Sequence, residues 1–585
     1  MIKPFALPAL AVAFAAFPAV AETVRISSET ASAELLADLR AELREAADAD
    51  TVFQSRRQAR RAAEKAENYL NSIGYFAPEI SFAVDPGPPP IGRVKIEPGP
   101  KFVIAKVNIA TEDGILSEDA SSALSQVQTL RPEATALPKA ILAEEAGLIA
   151  ALKAVGYAEA EALPRDVVGD RSEGTLDLTY NLDPGPRIRL GDTIYSDGTR
   201  TRRQYLDRLI PYEPGTLYSP QTLAALSRRL NATRLYRLSS VQLAETPSQI
   251  RSDGDEVRDI LVQIEERDRY TLTTGTSFST SEGPGLTSSL TRRNATRRGD
   301  TLTGEMTLAT LERSFSLDWR IPNITAFDRT LVLSTDIGRD ETDAFDREAI
   351  MLSAAYEVRA SRRLTYAIGA ASEFTREEDA FEQRDQQILS TSLGARLDYA
   401  NDPLDATRGW RVDTRGEPGF VTGDRETQYL SLNGQVSAYQ PLDEAERFVI
   451  ASRLRSGFVF GAALEDLPVS RRFFAGGGGS ARGFEYQSVG PQDDDGTPTG
   501  GRGLLEVSGE LRWRRDGPLG YVAFLDGASV TADEGVSFDE IRYSAGLGVR
   551  YDTLIGPIRF DLATPIDPRD SDDLVQVYVS IGQAF

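Results

Sequence analysis

The second half of the chain consists of short segments in which apolar and polar residues alternate. Within 541–551 every second residue is apolar and the positions between are arginine, serine or glycine; the same alternation runs through 505–514 and 558–563. A period of two puts successive side chains on opposite faces of a β-strand. Such strands build a soluble sandwich with the apolar faces inside, or a membrane barrel whose apolar faces meet lipid and whose polar faces line a lumen.

The number of these segments favours the barrel. Each is close to the roughly 9–11 residues that a tilted strand needs to cross a bilayer, their number is even, as in closed bacterial barrels, and the mixed acids and bases of the polar face suit a wet lumen. The segments are 269–279, 284–292, 300–310, 313–321, 328–339, 348–357, 361–374, 384–398, 408–416, 426–437, 447–459, 503–514, 519–526, 541–551, 556–563 and 574–585. We therefore predict an all-β transmembrane barrel of about 16 antiparallel strands over residues 267–585.

The chain ends on an aromatic residue. Val577, Val579, Ile581 and Phe585 share one face of the last segment, as in the C-terminal strand signal of outer-membrane barrels, and Gln583 interrupts that face. This ending also favours the barrel over a soluble sandwich.

The N-terminal third contains a repeated pattern of helix, aromatic turn and strands. Gly74-Tyr75 and Gly156-Tyr157 each follow a predicted helix and lie 82 residues apart, while the turns Pro98-Gly99-Pro100 and Pro184-Gly185-Pro186 lie 86 apart. The glycine supplies the left-handed cap from which a helix turns into a strand. A less regular third copy has Leu235-Tyr236 at this place. The predicted helices are 35–45, 57–70, 140–154 and 219–232, and the predicted repeats, each β-α-α-β-β, are 22–97, 98–184 and 185–266.

Each repeat would form a small sheet with two helices on one face. The sheet edge stays open, and an open edge can accept a strand from an extended chain. The repeats are therefore candidate binding sites for unfolded proteins.

The composition excludes several functions. The chain has neither His nor Cys, which removes Ser-His-Asp and Cys-His catalysis, disulfides and zinc sites that use these ligands. A net charge of -23 opposes nucleic-acid binding, which needs a basic surface. The remaining candidates for an enzyme site are carboxylate groups such as Glu377-Glu378 and Asp493-Asp494-Asp495, which we interpret as solvated loop charges. We predict no enzyme activity, cofactor or metal site.

Residues 1–21 are typical of a secretory signal peptide. Lys3 precedes an apolar run over 5–17, and Ala19-Val20-Ala21 forms a small-x-small cleavage site. The run is shorter than the ~20 residues of a membrane-spanning helix, which favours cleavage after Ala21 over an anchoring helix. An exported acidic chain is soluble in the periplasm, secreted, or a membrane barrel.

The longest connection of the barrel half, 460–502, contains a glycine-rich run over 471–484. Four consecutive glycines, 476–479, stand between arginines and phenylalanines. Their conformational freedom allows the loop to fold back and place Arg482, whose planar fork of donors suits a buried carboxylate. With the repeats in the periplasm, strand parity makes this connection the sixth external loop.

Taken together, these features resemble the outer-membrane β-barrel assembly superfamily, and within it the TamA family, over essentially the full chain. The three repeats resemble POTRA domains. The other motifs that carry the resemblance are the aromatic C-terminus, Arg472-Phe473-Phe474-Ala475-Gly476-Gly477, Arg482-Gly483-Phe484, Phe524-Leu525-Asp526-Gly527 and Gly556-Pro557-Ile558-Arg559-Phe560-Asp561. The resemblance implies the outer membrane of a Gram-negative bacterium, with the repeats in the periplasm.

The resemblance also implies a role for the triplet Arg482-Gly483-Phe484. In the family the loop arginine folds into the lumen and meets acids on the twelfth and thirteenth strands, which would make the triplet a strut. Asp526 matches the acid of the thirteenth strand. The twelfth-strand position falls at Arg512, with Glu510 and Glu506 as candidate acids on the same lumen face.

The resemblance finally implies a factor that inserts or translocates β-barrel and autotransporter proteins without covalent chemistry. The first strand, 269–280, is rich in Thr and Ser, and the last contains Gly582 and Gln583, so cross-strand packing between them is weak. We expect this seam to open laterally. The implied partners are outer-membrane lipid, unfolded clients at the repeat edges and the first barrel strand, and a TamB-like periplasmic protein at the first repeat.

Two other functions stay open from the sequence. A two-partner secretion transporter for a β-helical client would be favoured by an N-terminal helix that plugs the barrel. A passive porin or receptor would not need the repeats.

Overall fold

The computed structural model describes residues 24–43, 50–112, 116–280, 282–553, 557–569 and 572–581. The predicted signal peptide, Gly556 and residues 582–585 lie outside these ranges. The chain divides into two compact units. One comprises the residues up to Ile194 with Tyr212–Ala225 and Val241–Leu261, and the other comprises Tyr195–Pro211, Leu226–Ser240 and the residues from Val262 onward.

The first unit begins with two successions of strand, helix, helix and strands. The first contains β1 (Val24–Ser27), α1 (Ala33–Glu42), α2 (Val52–Ser72), β2 (Glu79–Asp85) and β3 (Ile91–Glu97). The second contains β4 (Val103–Thr111), α3 (Glu118–Val127), α4 (Pro138–Ala154), β5 (Glu161–Ala162), β6 (Asp166–Asp170) and β7 (Thr175–Asp183). The first sheet has the strand order β1-β3-β2, and in the second β4, β5 and β6 all pair with β7.

Local sequence explains where these helices begin and end. A capping box starts α2, since Thr51 Oγ1 accepts from the Gln54 backbone N–H and the Gln54 side chain accepts from that of Thr51, both at 3.2 Å. This box places the start of α2 five residues before the predicted one. At the other end, Gly74 and Gly156 adopt φ of +98° and +111° where α2 and α4 turn into the next strand.

A third succession leads into the barrel. It contains β8 (Ile188–Tyr195), α5 (Arg203–Asp207), α6 (Pro220–Ala232), β9 (Tyr236–Leu243), β10 (Gln249–Ile250) and β11 (Glu256–Glu266). The strand order is β10-β11-β8, and β9 also pairs with β11. Tyr236 stands where the first two repeats have the tyrosine of Gly-Tyr, and it is buried.

The second unit contains a closed barrel of sixteen antiparallel strands, which confirms the predicted fold. The strands are β12 (Tyr270–Ser279), β13 (Gly283–Arg293), β14 (Thr301–Ala309), β15 (Glu312–Pro322), β16 (Arg329–Glu341), β17 (Phe345–Arg359), β18 (Leu364–Asp379), β19 (Gln383–Asp398), β20 (Gly409–Gly423), β21 (Thr427–Pro441), β22 (Phe448–Phe460), β23 (Gly503–Arg514), β24 (Leu519–Thr531), β25 (Arg542–Tyr551), β26 (Ile558–Pro565) and β27 (Gln576–Ile581). Within the described residues, no helix has both the length and the apolar character needed to cross a membrane.

The two faces of the barrel wall differ in chemistry. The outer face exposes large apolar side chains on nearly every strand, among them Leu272, Phe315, Ile337, Ile368, Leu393, Phe420, Leu454, Leu525 and Leu547. The inner face carries buried charges, among them Glu373, Arg384, Glu510, Arg512, Asp526, Arg550 and Asp561. An apolar outer surface around a charged interior is the arrangement of a barrel that sits in lipid.

Aromatic residues mark one rim of the outer surface. The Tyr399 ring stacks on Trp410 with 4.4 Å between centroids, and Trp513 lies between Phe448 and Tyr521. These residues flank the turns that follow β19, β21 and β23, at the end of the barrel where β12 begins. Their position fits an aromatic girdle at a membrane interface.

Candidate functional site

The connection between β22 and β23, residues 461–502, folds back into the barrel, and we call it the lumen loop. It starts with two short 3-10 helices, Leu464–Asp466 and Val469–Arg471. Its residues Ala475, Ala481, Phe484 and Val489 are buried against Leu504, Ala528 and Val530 of the barrel wall. The loop therefore forms part of the packed interior.

Arg482 is the centre of the main polar contact between loop and wall. Its side chain is only 2% exposed. Arg482 Nε donates to Asp526 Oδ2 at 2.7 Å and Nη2 to Asp526 Oδ1 at 3.0 Å. Nη1 donates to Glu510 Oε1 at 2.8 Å and to Asp561 Oδ2 at 3.4 Å. The guanidinium also lies over the Phe524 ring, 3.5 Å from its centroid.

The electrostatics favour a permanently charged Arg482. Burial by itself lowers the pKa of Arg482, but the charge of Asp526 and then of Glu510 raises this pKa above its ordinary value. Other guanidinium groups balance the acids: Arg512 Nη2 lies 2.7 Å from Glu510 Oε2, and Arg550 binds Asp561. This alternation of charges allows a buried ionic cluster.

The two residues after Arg482 suit this loop conformation. Gly483 has φ of +98°, and a Cβ there would lie 2.8 Å from the Ser544 Cβ. Phe484 is 1% exposed, and the Arg542 guanidinium lies 4.4 Å from the centroid of its ring. The turn needs glycine at 483, and the Phe484 side chain packs in the buried cluster between the loop and the barrel wall.

The structure brings together most of the site residues that the sequence singled out. Asp526 and Glu510 both contact Arg482. Glu506 does not, and its proposed partnership with Arg482 is wrong: it accepts from Ser480 and lies 3.3 Å from Arg455 Nη1. The reason is distance along β23, since four residues of a strand separate Glu506 from Glu510 by roughly 13 Å.

Sequence reasoning missed two members of this cluster. Asp561 and Phe524 belong to the sequence motifs 556–561 and 524–527, but the sequence predicts no contact of either residue with Arg482. The alternation over 558–563 puts Asp561 on the polar face beside Arg559, but it does not show that β26 lies within reach of Arg482.

A second set of arginines holds the start of the lumen loop. Arg471 Nη2 lies 2.9 Å from Glu373 Oε2, and its Nε lies 3.1 Å from Glu417 Oε1. Arg472 Nη2 lies 2.6 Å from Asp379 Oδ2, which Arg384 also binds. The loop is thus anchored to β18–β20 at one end and to β23, β24 and β26 at Arg482.

These contacts correct the interpretation of Glu377 as a solvated charge. Glu377 is fully buried, it lies 3.3 Å from Arg384 Nε, and it accepts from the Val469 backbone N–H at 3.2 Å. It is buried because the lumen loop covers the inner face of β18. Its neighbour Glu378 and the loop residues Asp494 and Asp495 are exposed, while Asp493 accepts from two backbone N–H groups of its own turn. Within the described part of the chain, no acidic cluster is arranged to hold a metal ion.

The seam between β12 and β27 is the weakest junction of the barrel in the part of the chain that the structure describes. Only Phe278 with Val579 and Ser279 with Tyr578 are paired across it, whereas β12 and β13 share ten pairs. The Thr280 N–H adds one bond to the Val577 carbonyl at 3.1 Å. The adjoining edge of β12, residues 270–277, has no strand partner on that side among the described residues.

The last strand presents the predicted apolar face outward. Val577 and Val579 pair with the exposed Leu562 and Phe560 of β26. The side chains of Ile581 and Phe585, the other two residues of the predicted C-terminal signal, lie outside the described part.

A closed sixteen-stranded barrel with an apolar outer wall, a charged lumen and an inward-folded loop defines the molecule as an outer-membrane β-barrel. Comparison with known families gives a more specific result. Residues 294–585 match the Omp85 superfamily domain, so the chain carries such a domain over its barrel half.

Curated relatives extend this similarity into the repeats. The chain is 24% identical over 449 residues to the outer membrane protein assembly factor BamA of Nitratidesulfovibrio vulgaris, covering 74% of this chain and 55% of the relative. It is 23% identical over 517 residues to the BamA of Neorickettsia risticii, covering 84% and 67%. The match thus spans about half of the first relative and two thirds of the second.

A solved structure shows the same fold. The crystal structure of BamA from Haemophilus ducreyi lacking POTRA domains 1–3 superposes with a TM-score of 0.69 at 18% identity, and the match covers 82% of this chain and 100% of that one. The chain is thus similar in sequence to BamA proteins and in fold to a BamA barrel.

Proposed function

We propose that this chain assembles or translocates outer-membrane proteins by opening the seam between β12 and β27. The observation that carries this proposal is the junction of β12 with β27, which has two residue pairs in the part of the chain that the structure describes. Within a bilayer, unpaired backbone groups have no water to bind. A client strand that adds to the β12 edge supplies those hydrogen bonds. The reaction exchanges hydrogen bonds and needs no covalent step.

The finer proposal follows the TamA family. Its clients would be β-barrel and autotransporter proteins, and the three β-α-α-β-β repeats would act as POTRA domains in the periplasm of a Gram-negative bacterium. The names of the curated relatives, outer membrane protein assembly factors, support the general role.

Locking the seam tests this function. The chain has no natural Cys, so Phe278→Cys with Val579→Cys creates one defined disulfide across facing residues. We expect the oxidised protein in lipid vesicles to lose most of its ability to insert an autotransporter barrel, and reduction to restore it. Insertion is measured by protease protection of the autotransporter barrel.

The matched control is Thr273→Cys with Ser289→Cys, which bridges β12 to β13 where the sheet is continuous. This pair should leave insertion unchanged in both redox states. Undiminished insertion by the oxidised seam pair would refute lateral opening.

We propose further that the first repeat binds a TamB-like periplasmic partner. Its strand β2 is an outer strand of the β1-β3-β2 sheet, and Phe82 on β2 is 40% exposed. An outer strand with an exposed aromatic side chain can pair with another β-rich chain. The exported protein without residues 24–97 should therefore fail to co-purify a TamB-like protein that the full chain retains. Equal recovery with and without the repeat contradicts this partnership.

A further inference from the structure

The lumen loop contacts the last barrel strand at a buried tyrosine. Tyr578 of β27 is 2% exposed. Its hydroxyl accepts from the Gly483 N–H and donates to the Phe484 carbonyl, both at 3.2 Å. Its ring packs on Gly478, where an added Cβ would lie 2.9 Å from the ring carbon Cδ1. The loop therefore packs on β27 and forms hydrogen bonds with it from the lumen side.

The same loop contacts the other side of the seam. The Gly478 N–H donates to Glu282 Oε1 at 3.1 Å, and Glu282 follows β12 in the turn to β13. The Glu282 N–H in turn donates to Ser279 Oγ at 2.9 Å, so this turn is tied to the end of β12. Gly478 thus touches Tyr578 on one flank of the seam and Glu282 on the other.

These contacts span a seam at which two residue pairs join β12 to β27 among the described residues. Arg482 meanwhile fixes the loop to β23, β24 and β26. When β12 and β27 move apart, a loop held by Arg482 cannot keep both Tyr578 and Glu282. Opening the seam therefore requires that one of the two contacts break.

We infer that the glycine run of the lumen loop is a latch on the seam, with Tyr578 and Glu282 as the positioning residues on its two flanks. This inference rests on the proposed function, because it assigns control of the same seam to the loop. Release of the latch from one flank frees the edge of β12 for a client strand.

Two neighbouring glycines offer a matched test. An Ala side chain at Gly478 meets the Tyr578 ring, whereas an added Cβ at Gly479 meets nothing within 4 Å. Hydrogen exchange of the seam amides, including Thr280, is measured in lipid vesicles without any client. Gly478→Ala should accelerate this exchange about fivefold, the effect of losing roughly one hydrogen bond. Gly479→Ala should leave it at the wild-type rate.

Tyr578→Phe removes the hydroxyl and keeps the ring, and it tests the latch independently if Gly478→Ala does not fold. It should accelerate seam exchange by about five- to tenfold, and exchange between β18 and β19 should stay constant. Tyr439→Phe is its control, since Tyr439 is a buried tyrosine of β21, and it should leave seam exchange unchanged.

The latch is overturned if Tyr578→Phe exchanges its seam amides at the wild-type rate. It is also overturned if Tyr578→Phe accelerates exchange between β18 and β19 as much as at the seam, or if Gly479→Ala accelerates seam exchange as much as Gly478→Ala does. Because no client is present, the outcome is separate from the insertion assay. A disulfide-locked seam that still inserts clients would refute the proposed function and leave the latch in place.

Discussion

Arg482→Met should lower the free energy of unfolding of the barrel by about 3–5 kcal/mol, the cost of leaving a buried charge without its partner. Methionine keeps most of the side-chain length and removes the charge. Asp526 then loses the guanidinium that binds both of its carboxylate oxygens. Glu510 and Asp561 are less affected, because they keep Arg512 and Arg550. Adding Asp526→Asn removes the uncompensated charge and should recover part of the loss.

Urea unfolding of the detergent-solubilised barrel, followed by the fluorescence of its three tryptophans, measures this effect. Arg376→Met is the control: Arg376 binds Asp385 through two hydrogen bonds but is 62% exposed, so its loss should cost less than about 1 kcal/mol. Chymotrypsin should cleave the lumen loop at Phe484 and Tyr486 faster in Arg482→Met than in this control. Equal unfolding midpoints for the two variants would show that Arg482 is not a strut.

The alternation of apolar and polar residues predicted the number of barrel strands, because each strand has one face toward lipid. The same pattern did not predict the ends of strands at which the two faces have the same character. Strand β24 runs five residues beyond the predicted segment 519–526. Residues 527–530 are buried on both faces, and Ala528 and Val530 pack against the lumen loop. Strand β17 extends past 348–357 through Asp346 and Arg347, which are polar on both faces. Alternation of apolar and polar residues cannot report such ends.

The site was predictable as far as local patterns reach. Alternation placed Glu510 on the lumen face, the family resemblance singled out Asp526, and the glycine run showed that the loop could bring Arg482 to them. The burial of Glu377 and the participation of Asp561 depend on which distant strands the loop covers. That information lies in the closure of the barrel, which joins residues 79 positions apart at the contact of Arg482 with Asp561.

The second anchor of the loop leads to another large expected effect. Asp379 is the carboxylate that both Arg384 and Arg472 bind, and the side chains of these two arginines are fully buried. Asp379→Asn leaves two buried cations with Glu377, which lies beside Arg384, and with the partly exposed Glu382, 3.9 Å from Arg384 Nη1. We expect a loss of about 3–5 kcal/mol in the free energy of unfolding.

Glu378→Gln is the matched control, since Glu378 is the adjacent residue of the same strand and faces outward; its effect should stay within about 0.5 kcal/mol. Limited trypsin digestion distinguishes the two anchors. Asp379→Asn should open the sites at Arg471 and Arg472 while Arg482 stays protected, and Arg482→Met should spare the first two. If the anchors act independently, the losses of stability in the double variant add to within about 0.5 kcal/mol. A double variant no less stable than Arg482→Met alone would mean that the loop leaves the lumen as one piece, because releasing either anchor would already have released the other.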